Sequence, residues 1–263
     1  MSDNPAIDRG NAIDWSKTAG DYSTWRPNYP DRFFRILAMF GVGLSGQRIL
    51  DLGTGVGFLA LRFAQAGAHT TGVDIADGQI QEARRRAETL GLSAEFHTSP
   101  AEETGLRPAS FDVVTSSQSW LYFDKSRVIE EVKRVLKPDG LLMTCHLCWL
   151  PRRDRVAKAS EQLVLQHNPN WTGADLSGEI PFLPKWSENQ FQLHAMFVFD
   201  EAIPFTWESW RGRIRACRGV GATLGHEQTK AFDLDHDALL RTITPEQFSV
   251  LHRIDAHLFR PIW

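Results

Sequence analysis

Two aspartates and three glycines carry the first chemistry legible in this chain. In "ILDLGTGVGF" (residues 49–58), Asp51 closes an apolar run, and Gly53, Gly55 and Gly57 follow at alternate positions before a segment of helical periodicity. Glycine tolerates positive φ and lets a ligand approach the backbone, while the helix that follows turns unpaired N–H groups toward the loop. A strand, loop and helix of this kind can hold a nucleotide. Asp74 ends the next apolar run, "HTTGVDI", about twenty residues on, where a carboxylate accepts ribose hydroxyls. Dinucleotide enzymes use a similar turn, but their G-x-G-x-x-G spacing needs a third glycine where this chain has Phe58. Asp51 also stands where a pyrophosphate would lie. Its charge repels a diphosphate and suits a ligand bearing an ammonium and a sulfonium. S-adenosyl-L-methionine is such a ligand, so the loop is expected to hold its methionine half, with adenosine reaching toward Asp74.

Further candidates follow the later apolar runs. Trp120, Tyr122 and Phe123 come after "FDVVTSSQS", where open α/β sheets gather their ligands. Aromatic rings there suit a sulfonium or an apolar acceptor, and ordinary core packing is the competing reading. Tyr122 and His146 are the candidate catalytic groups. His146, in "LLMTCHL", has the chemistry of a general base or of a packed, hydrogen-bonded residue. Trp171, Trp186, Trp207 and Trp210 read as lid or pocket wall. In "WRGRIRACRG", Arg211, Arg215 and Arg218 share one helical face. That face is either solvated or turns Arg211 or Arg215 onto a carboxylate or phosphate of an acceptor. Cys145 and Cys148 form C-x-x-C, but residues three apart on a strand face opposite ways, so neither a disulfide nor a metal is expected there.

The elements that must position these residues alternate. After a leader, the amphipathic stretch "DRFFRILAMF" puts Phe33, Phe34, Leu37 and Phe40 at helical spacing. "RILDLG" reads as a buried strand and "VGFLALRFAQAG" as a helix closed by Gly67. The strand "HTTGVDI" is followed by "DGQIQEARRRAETLG", in which Asp77 is placed to cap, Ile80, Ala83, Ala87 and Leu90 form one face, and Gly91 stops the helix. Strands "SAEFHTS" and "FDVVTSSQS", the helix "SRVIEEVKRVLKPDG" ended by Pro138 and Gly140, and the strand "LLMTCHL" complete a run of βαβ units. Such units build a parallel sheet buried on both faces, with right-handed crossovers. After Pro151 the rhythm breaks: a helix, a proline- and tryptophan-rich loop, a strand, two helices and a last strand, "FSVLHRIDAHLF".

With its motifs in this order the sequence resembles class I S-adenosylmethionine-dependent methyltransferases. "ILDLGTGVG" is similar to their first motif, "GVDI" to the second, and "VLKPDGLL" to the segment before their fifth strand. More narrowly, "AGDYSTWRPNYP", "SPAEETGL" and "SSQSWLYFD" resemble the methyltransferase type 11 group that includes trans-aconitate methyltransferase-like proteins. The likeness covers about residues 15–150. It implies that Asp51, Gly53 and Gly55 meet the methionine moiety and Asp74 the ribose, with Gly57 also in the cofactor loop. Ile75 would face the adenine, Ala101 and Glu102 its edge, and Ser116 and Gln118 the reaction end. The chain departs from the pattern at Pro100, where many members have an aspartate that reads adenine, with Glu102 as the substitute. It departs again at Leu121 and Tyr122, where the narrower group has histidine and tryptophan. Tyr22 and Arg26 in the leader are either packing and a surface charge or a closure over the cofactor.

The expected fold is α/β: a Rossmann-like, doubly wound, mostly parallel seven-stranded sheet with a C-terminal antiparallel strand and a helical and loop lid insertion. The expected organisation is one methyltransferase domain over 1–263, with a leader (1–45), a cofactor core (46–150), a lid (151–190) and a sheet-completing, acceptor-side region (191–263). A net charge of −3 argues against nucleic acid as the main partner. No run of about 18 apolar residues exists and "MSDNPAIDRG" lacks a signal's basic-then-apolar order, so no membrane partner is expected. Three cysteines, an odd number, fit a reducing compartment, here the cytoplasm. The expected reaction is methyl transfer to an oxygen, nitrogen or carbon of a small molecule, with Trp120, Trp186, Arg211 and Arg215 as acceptor contacts. The competing readings are aminocarboxypropyl transfer or cyclisation on the same cofactor, an NAD-dependent oxidoreductase, a non-catalytic binding domain, and RNA methylation.

Overall fold

A computed structural model describes residues 7–8, 11–12 and 15–263, with side chains from Lys17 onward except that of Ala19. The reading of "MSDNPAIDRG" and of the first residues of the 1–45 leader falls, apart from those short stretches, outside them. Two two-residue strands, β1 (Ile7–Asp8) and β2 (Asn11–Ala12), pair antiparallel. Helices α1 (Ala19–Trp25) and α2 (Asp31–Met39) follow, the latter burying Phe33 and Leu37.

From β3 (Arg48–Leu52) the chain alternates: α3 (Phe58–Gln65), β4 (His69–Asp74), α4 (Asp77–Leu90), β5 (Ala94–Thr98), β6 (Phe111–Ser117), α5 (Lys125–Val135) and β7 (Leu136–Trp149). Strand pairs β3–β4, β4–β5, β3–β6 and β6–β7 are all parallel. After α6 (Arg155–His167) come β8 (Phe191–Thr206), α7 (Trp207–Arg215), α8 (His226–Ile243) and β9 (Gln247–Pro261). The sheet order is β5-β4-β3-β6-β7-β9-β8, with the late strands antiparallel, as the sequence pattern leads one to expect. β3 lies between β4 and β6, so the winding reverses at its carboxyl end, the point where open α/β sheets bind ligands. Its Ile49, Leu50 and Leu52 are fully buried, consistent with a strand covered on both faces.

Local expectations are corrected at three places. α5 ends at Val135 and the chain is already extended at Leu136, which pairs with Phe111. Pro138 disfavours helix at the residue before it, so the helix stops ahead of the proline. Asp77 is the first helical residue and not the cap; its carboxylate accepts from Thr98 Oγ1 (2.9 Å) and Gln81 Nε2 (2.5 Å). Leu90 is exposed, and Gln79 takes a place on the buried face of α4.

The chain divides into two compact units: Asn28–Leu147 with Ile180–Val198 and Ile254–Trp263, and Met1–Pro27 with Cys148–Glu179 and Phe199–Arg253. The expected lid, 151–190, is thus shared between them. The first unit's core joins Leu50, Leu52, Val114, Trp120, Val128, Leu142 and Phe259. In the second, α1, α6, α7 and α8 pack together around Trp210, whose Nε1 donates to Ser160 Oγ (2.9 Å), while Ser160 also meets His236 Nε2 (2.9 Å). Trp210 and Trp171 are buried.

Candidate functional site

The loop after β3 holds Gly53, Gly55 and Gly57 at φ of 64°, 54° and 80°, a region that L side chains rarely enter. A Cβ on Gly53 would sit 2.4 Å from Ser119 Cβ, and one on Gly57 3.1 Å from the Phe96 ring and 3.2 Å from Ala83 Cβ. Glycine therefore lets the loop close onto the turn after β6, and α3 onto α4 and β5. Asp51 sits behind the loop, 1% exposed, accepting from Thr54 Oγ1 and Thr115 Oγ1 at 2.7 Å each. Burial pushes its carboxyl up to about 6 against those two hydroxyls, with the Asp74 charge adding to the rise.

Asp74 closes β4. Its Oδ2 accepts from Gly55 N and its Oδ1 from Ala76 N, both at 2.9 Å, so one carboxylate fixes the glycine loop and the entry to α4. Burial raises its pKa, partly opposed by these backbone donors. Next to it Ile75 stands 74% exposed, an apolar side chain held in the open beside a half-buried charge. The Ser99 hydroxyl, just after β5, is out of solvent with no hydrogen-bond partner among the described residues, and Ser99 N donates to Asp74 O (3.0 Å). Ala101 is buried in the core, and Glu102 Oε1 accepts from Asp124 N (2.8 Å).

At the end of β6, Ser116 Oγ meets Ser119 Oγ (2.8 Å), which donates to Leu52 O (2.8 Å). Gln118 has φ of 65°, uncommon outside glycine, and is held there by N→Cys145 O (3.0 Å) and Nε2→Leu147 O (2.8 Å). Trp120 and Tyr122 form a short 3₁₀ turn. Trp120 is 4% exposed and packs on Trp186 with ring centroids 4.7 Å apart, and Trp186 packs in turn on Phe259 and Phe191. His146, one residue beyond the Ser117–Cys145 pairing, is partly exposed, and its Nδ1 lies 3.0 Å from Oδ2 of the buried Asp255 on β9.

In the other unit, Arg26 lies over the Tyr22 ring at 5.0 Å. Arg211 pairs with Asp233 and Asp237, and Arg215 with Asp21 and Asp233. The protein's own carboxylates thus occupy both arginines that the sequence offers to an acceptor, and the buried member of the set is Arg213. The structure gathers Asp51, Gly53, Gly55, Gly57, Asp74, Ile75, Ser116 and Gln118 around one set of strand ends. Three residues escape a reading of the sequence: Ser99, Asp255 and Arg213. Asp255 is 109 positions from His146, and only the return of β9 to the sheet brings them together. For Ser99, its place one residue after a parallel strand was the available signal.

A family model described as "Methyltransferase domain" matches residues 44–201, leaving the leader outside it. A ubiquinone biosynthesis O-methyltransferase of Actinobacillus pleuropneumoniae is 36% identical over 106 residues, 38% of this chain and 45% of that protein. Its namesake in Pseudomonas aeruginosa is 30% identical over 132 residues, 49% of this chain and 57% of that protein. The chain thus spans about half the length of the curated relatives it matches. Among solved structures, a candidate type II methyltransferase of Anaeromyxobacter dehalogenans superposes with a TM-score of 0.60 at 24% identity, covering 89% of this chain and 97% of that one. A phosphoethanolamine N-methyltransferase of Haemonchus contortus, in complex with phosphomonomethylethanolamine and S-adenosylhomocysteine, gives 0.53 at 18% identity, covering 93% and 57%. At these identities the superpositions speak for the fold.

Proposed function

The chain belongs to the methyltransferase-domain family, and from that premise we propose that it transfers the methyl group of S-adenosylmethionine to an oxygen of a small-molecule acceptor. The observation that carries this reading is the corner at the end of β4: a half-buried Asp74 carboxylate fixed by two backbone amides, an exposed Ile75, and an orphaned Ser99 hydroxyl. Those features fit an adenosine. A carboxylate with lone pairs to spare accepts from ribose hydroxyls, an open apolar side chain lies along a ring, and a buried hydroxyl gains a partner.

When bound, the cofactor supplies a methyl group on a sulfonium, already a good electrophile. The protein's share is then orientation, worth about 7–11 kcal/mol at best. Asp51, bonded to Thr54 and Thr115 behind the loop, offsets positive charge near it. A hydroxyl acceptor also has to lose a proton, and the His146–Asp255 pair suits that task. With Nδ1–H given to Asp255, the Nε2 lone pair of His146 is left to take it. The two relatives named O-methyltransferases favour oxygen over nitrogen or carbon. Three free thiols support a reducing compartment, the cytoplasm. No helix of the described residues is long and apolar enough to cross a membrane.

Calorimetry tests the premise: S-adenosylhomocysteine should bind and NAD should not. Tight NAD binding without a response to S-adenosylhomocysteine would refute the reading. Incubation with labelled S-adenosylmethionine and a metabolite extract then identifies the acceptor by its gain of mass. Release of methylthioadenosine in that assay would instead assign aminocarboxypropyl chemistry.

A further inference from the structure

Helix α7 carries three arginines in five residues, and the protein treats them differently. Arg211 and Arg215, partly exposed, are met by three aspartates, Asp21, Asp233 and Asp237. Arg213, on the opposite face, is 7% exposed and has no carboxylate partner among the described residues. Its Nε is buried without a hydrogen-bond partner. What it has is the face of Trp149, 4.7 Å from its Cζ, with that indole fixed by Nε1→Glu161 Oε1 (2.6 Å). The groups whose charge reaches it are the guanidinium of Arg26, the Tyr22 phenol and the thiols of Cys217 and Cys148, and burial with Arg26 pushes its pKa down to about 10.

This arrangement is costly, because a cation–π contact returns only part of the hydration that a buried guanidinium gives up. A second guanidinium in electrostatic reach adds repulsion. Yet the fold enforces the arrangement. Gly212 lets Trp25 of α1 come so close that a Cβ there would lie 2.1 Å from the indole, and the Arg215–Asp21 pair ties α1 to α7. A second orphan belongs to the same neighbourhood: His252 donates Nδ1–H to Val250 O (2.8 Å), and its buried Nε2 has no partner among the described residues. Burial keeps that ring neutral, with Arg213 and Arg26 adding to the effect.

We propose that Arg213 anchors an oxyanion site within the unit Met1–Pro27, Cys148–Glu179 and Phe199–Arg253, and that its ligand is a small molecule bearing a carboxylate. A guanidinium presents parallel N–H donors that match the two oxygens of a carboxylate, and Trp149 offers a flat wall for a planar group behind it. The site is argued within this unit and independently of the cofactor corner.

Benzoate and its neutral isostere benzamide are the probes, compared at constant ionic strength so that general screening cancels. Benzoate should raise the unfolding midpoint of the wild-type protein saturably and benzamide should not. Arg213→Met should raise the midpoint without ligand, because a buried unpaired cation is gone, and should weaken benzoate by at least tenfold. Arg241→Met is the control: Arg241 also lies over a tryptophan, Trp207 at 4.4 Å, but already pairs with Asp237. It should leave the benzoate response intact. Should Arg213→Met fail to fold, the Arg213 Nε–H resonance of ¹⁵N-labelled wild-type protein serves instead, and it should shift with benzoate and not with benzamide. Equal responses to both probes, or a benzoate response that survives Arg213→Met, would overturn the proposal.

Discussion

Replacing Asp51 with asparagine removes a charge that the fold buries and the proposed ligand needs. The carboxyl is 1% exposed and its pKa is raised from 3.8 to about 6, chiefly by burial. A raised carboxylate pKa contributes stability below pH 3.8, and that contribution is lost as pH rises through about 6. The shift of roughly two units corresponds to about 3 kcal/mol forgone at pH 7.5. Asparagine keeps the shape, but one of the two threonine hydroxyls, Thr54 or Thr115, must turn from donor to acceptor. Allowing about 1 kcal/mol for an imperfect bond, which asparagine carries at every pH, Asp51→Asn should stabilise the ligand-free protein by about 2 kcal/mol at pH 7.5 and destabilise it by about 1 kcal/mol at pH 3.5. Denaturant unfolding of both proteins at the two pH values reads this directly. The same variant should bind S-adenosylmethionine, a cation at its sulfur, more weakly than wild type, while S-adenosylhomocysteine, which lacks that charge, should lose less. A variant less stable than wild type at pH 7.5, with unchanged affinity for both ligands, would refute the argument: Asp51 would then be a bonded strut whose charge does nothing.

Two further outcomes follow from the site. Asp74→Ala should weaken S-adenosylhomocysteine by about 1.5–3 kcal/mol, the range for hydrogen bonds to a charged group, and calorimetry on the folded variant checks it. Asp255→Asn should lower kcat by about 10–100-fold with the KM for S-adenosylmethionine unchanged, because the amide no longer fixes the imidazole with its Nε2 lone pair free; a change confined to KM would make Asp255 a packing residue.

Much of the proposed cofactor side was legible because it is local. Asp51, Gly53, Gly55 and Gly57 lie within seven consecutive residues, and the strand, loop and helix that hold them are written in the same stretch. Asp74 ends the neighbouring strand, so one parallel pairing, Leu52 with Val73, places it beside the loop. The helix boundary at Val135 was misread because the first residue to leave the helix precedes the proline that causes it.

The arginine face of α7 was illegible for a different reason: its chemistry depends on which face of a helix is buried and on contacts between distant segments. In "WRGRIRACRG" helical spacing groups Arg211 with Arg215 and sets Arg213 apart, but the pattern does not reveal which group meets water. Composition favours the larger group as the functional one. The structure reverses that ranking through Asp21, 194 positions before Arg215, and Asp233, 18 after it, which neutralise the pair. Periodicity can therefore nominate an arginine, but only the inventory of carboxylates around it decides whether its charge is available. Here the arginine left over is the one that helical patterning would have assigned to the apolar core.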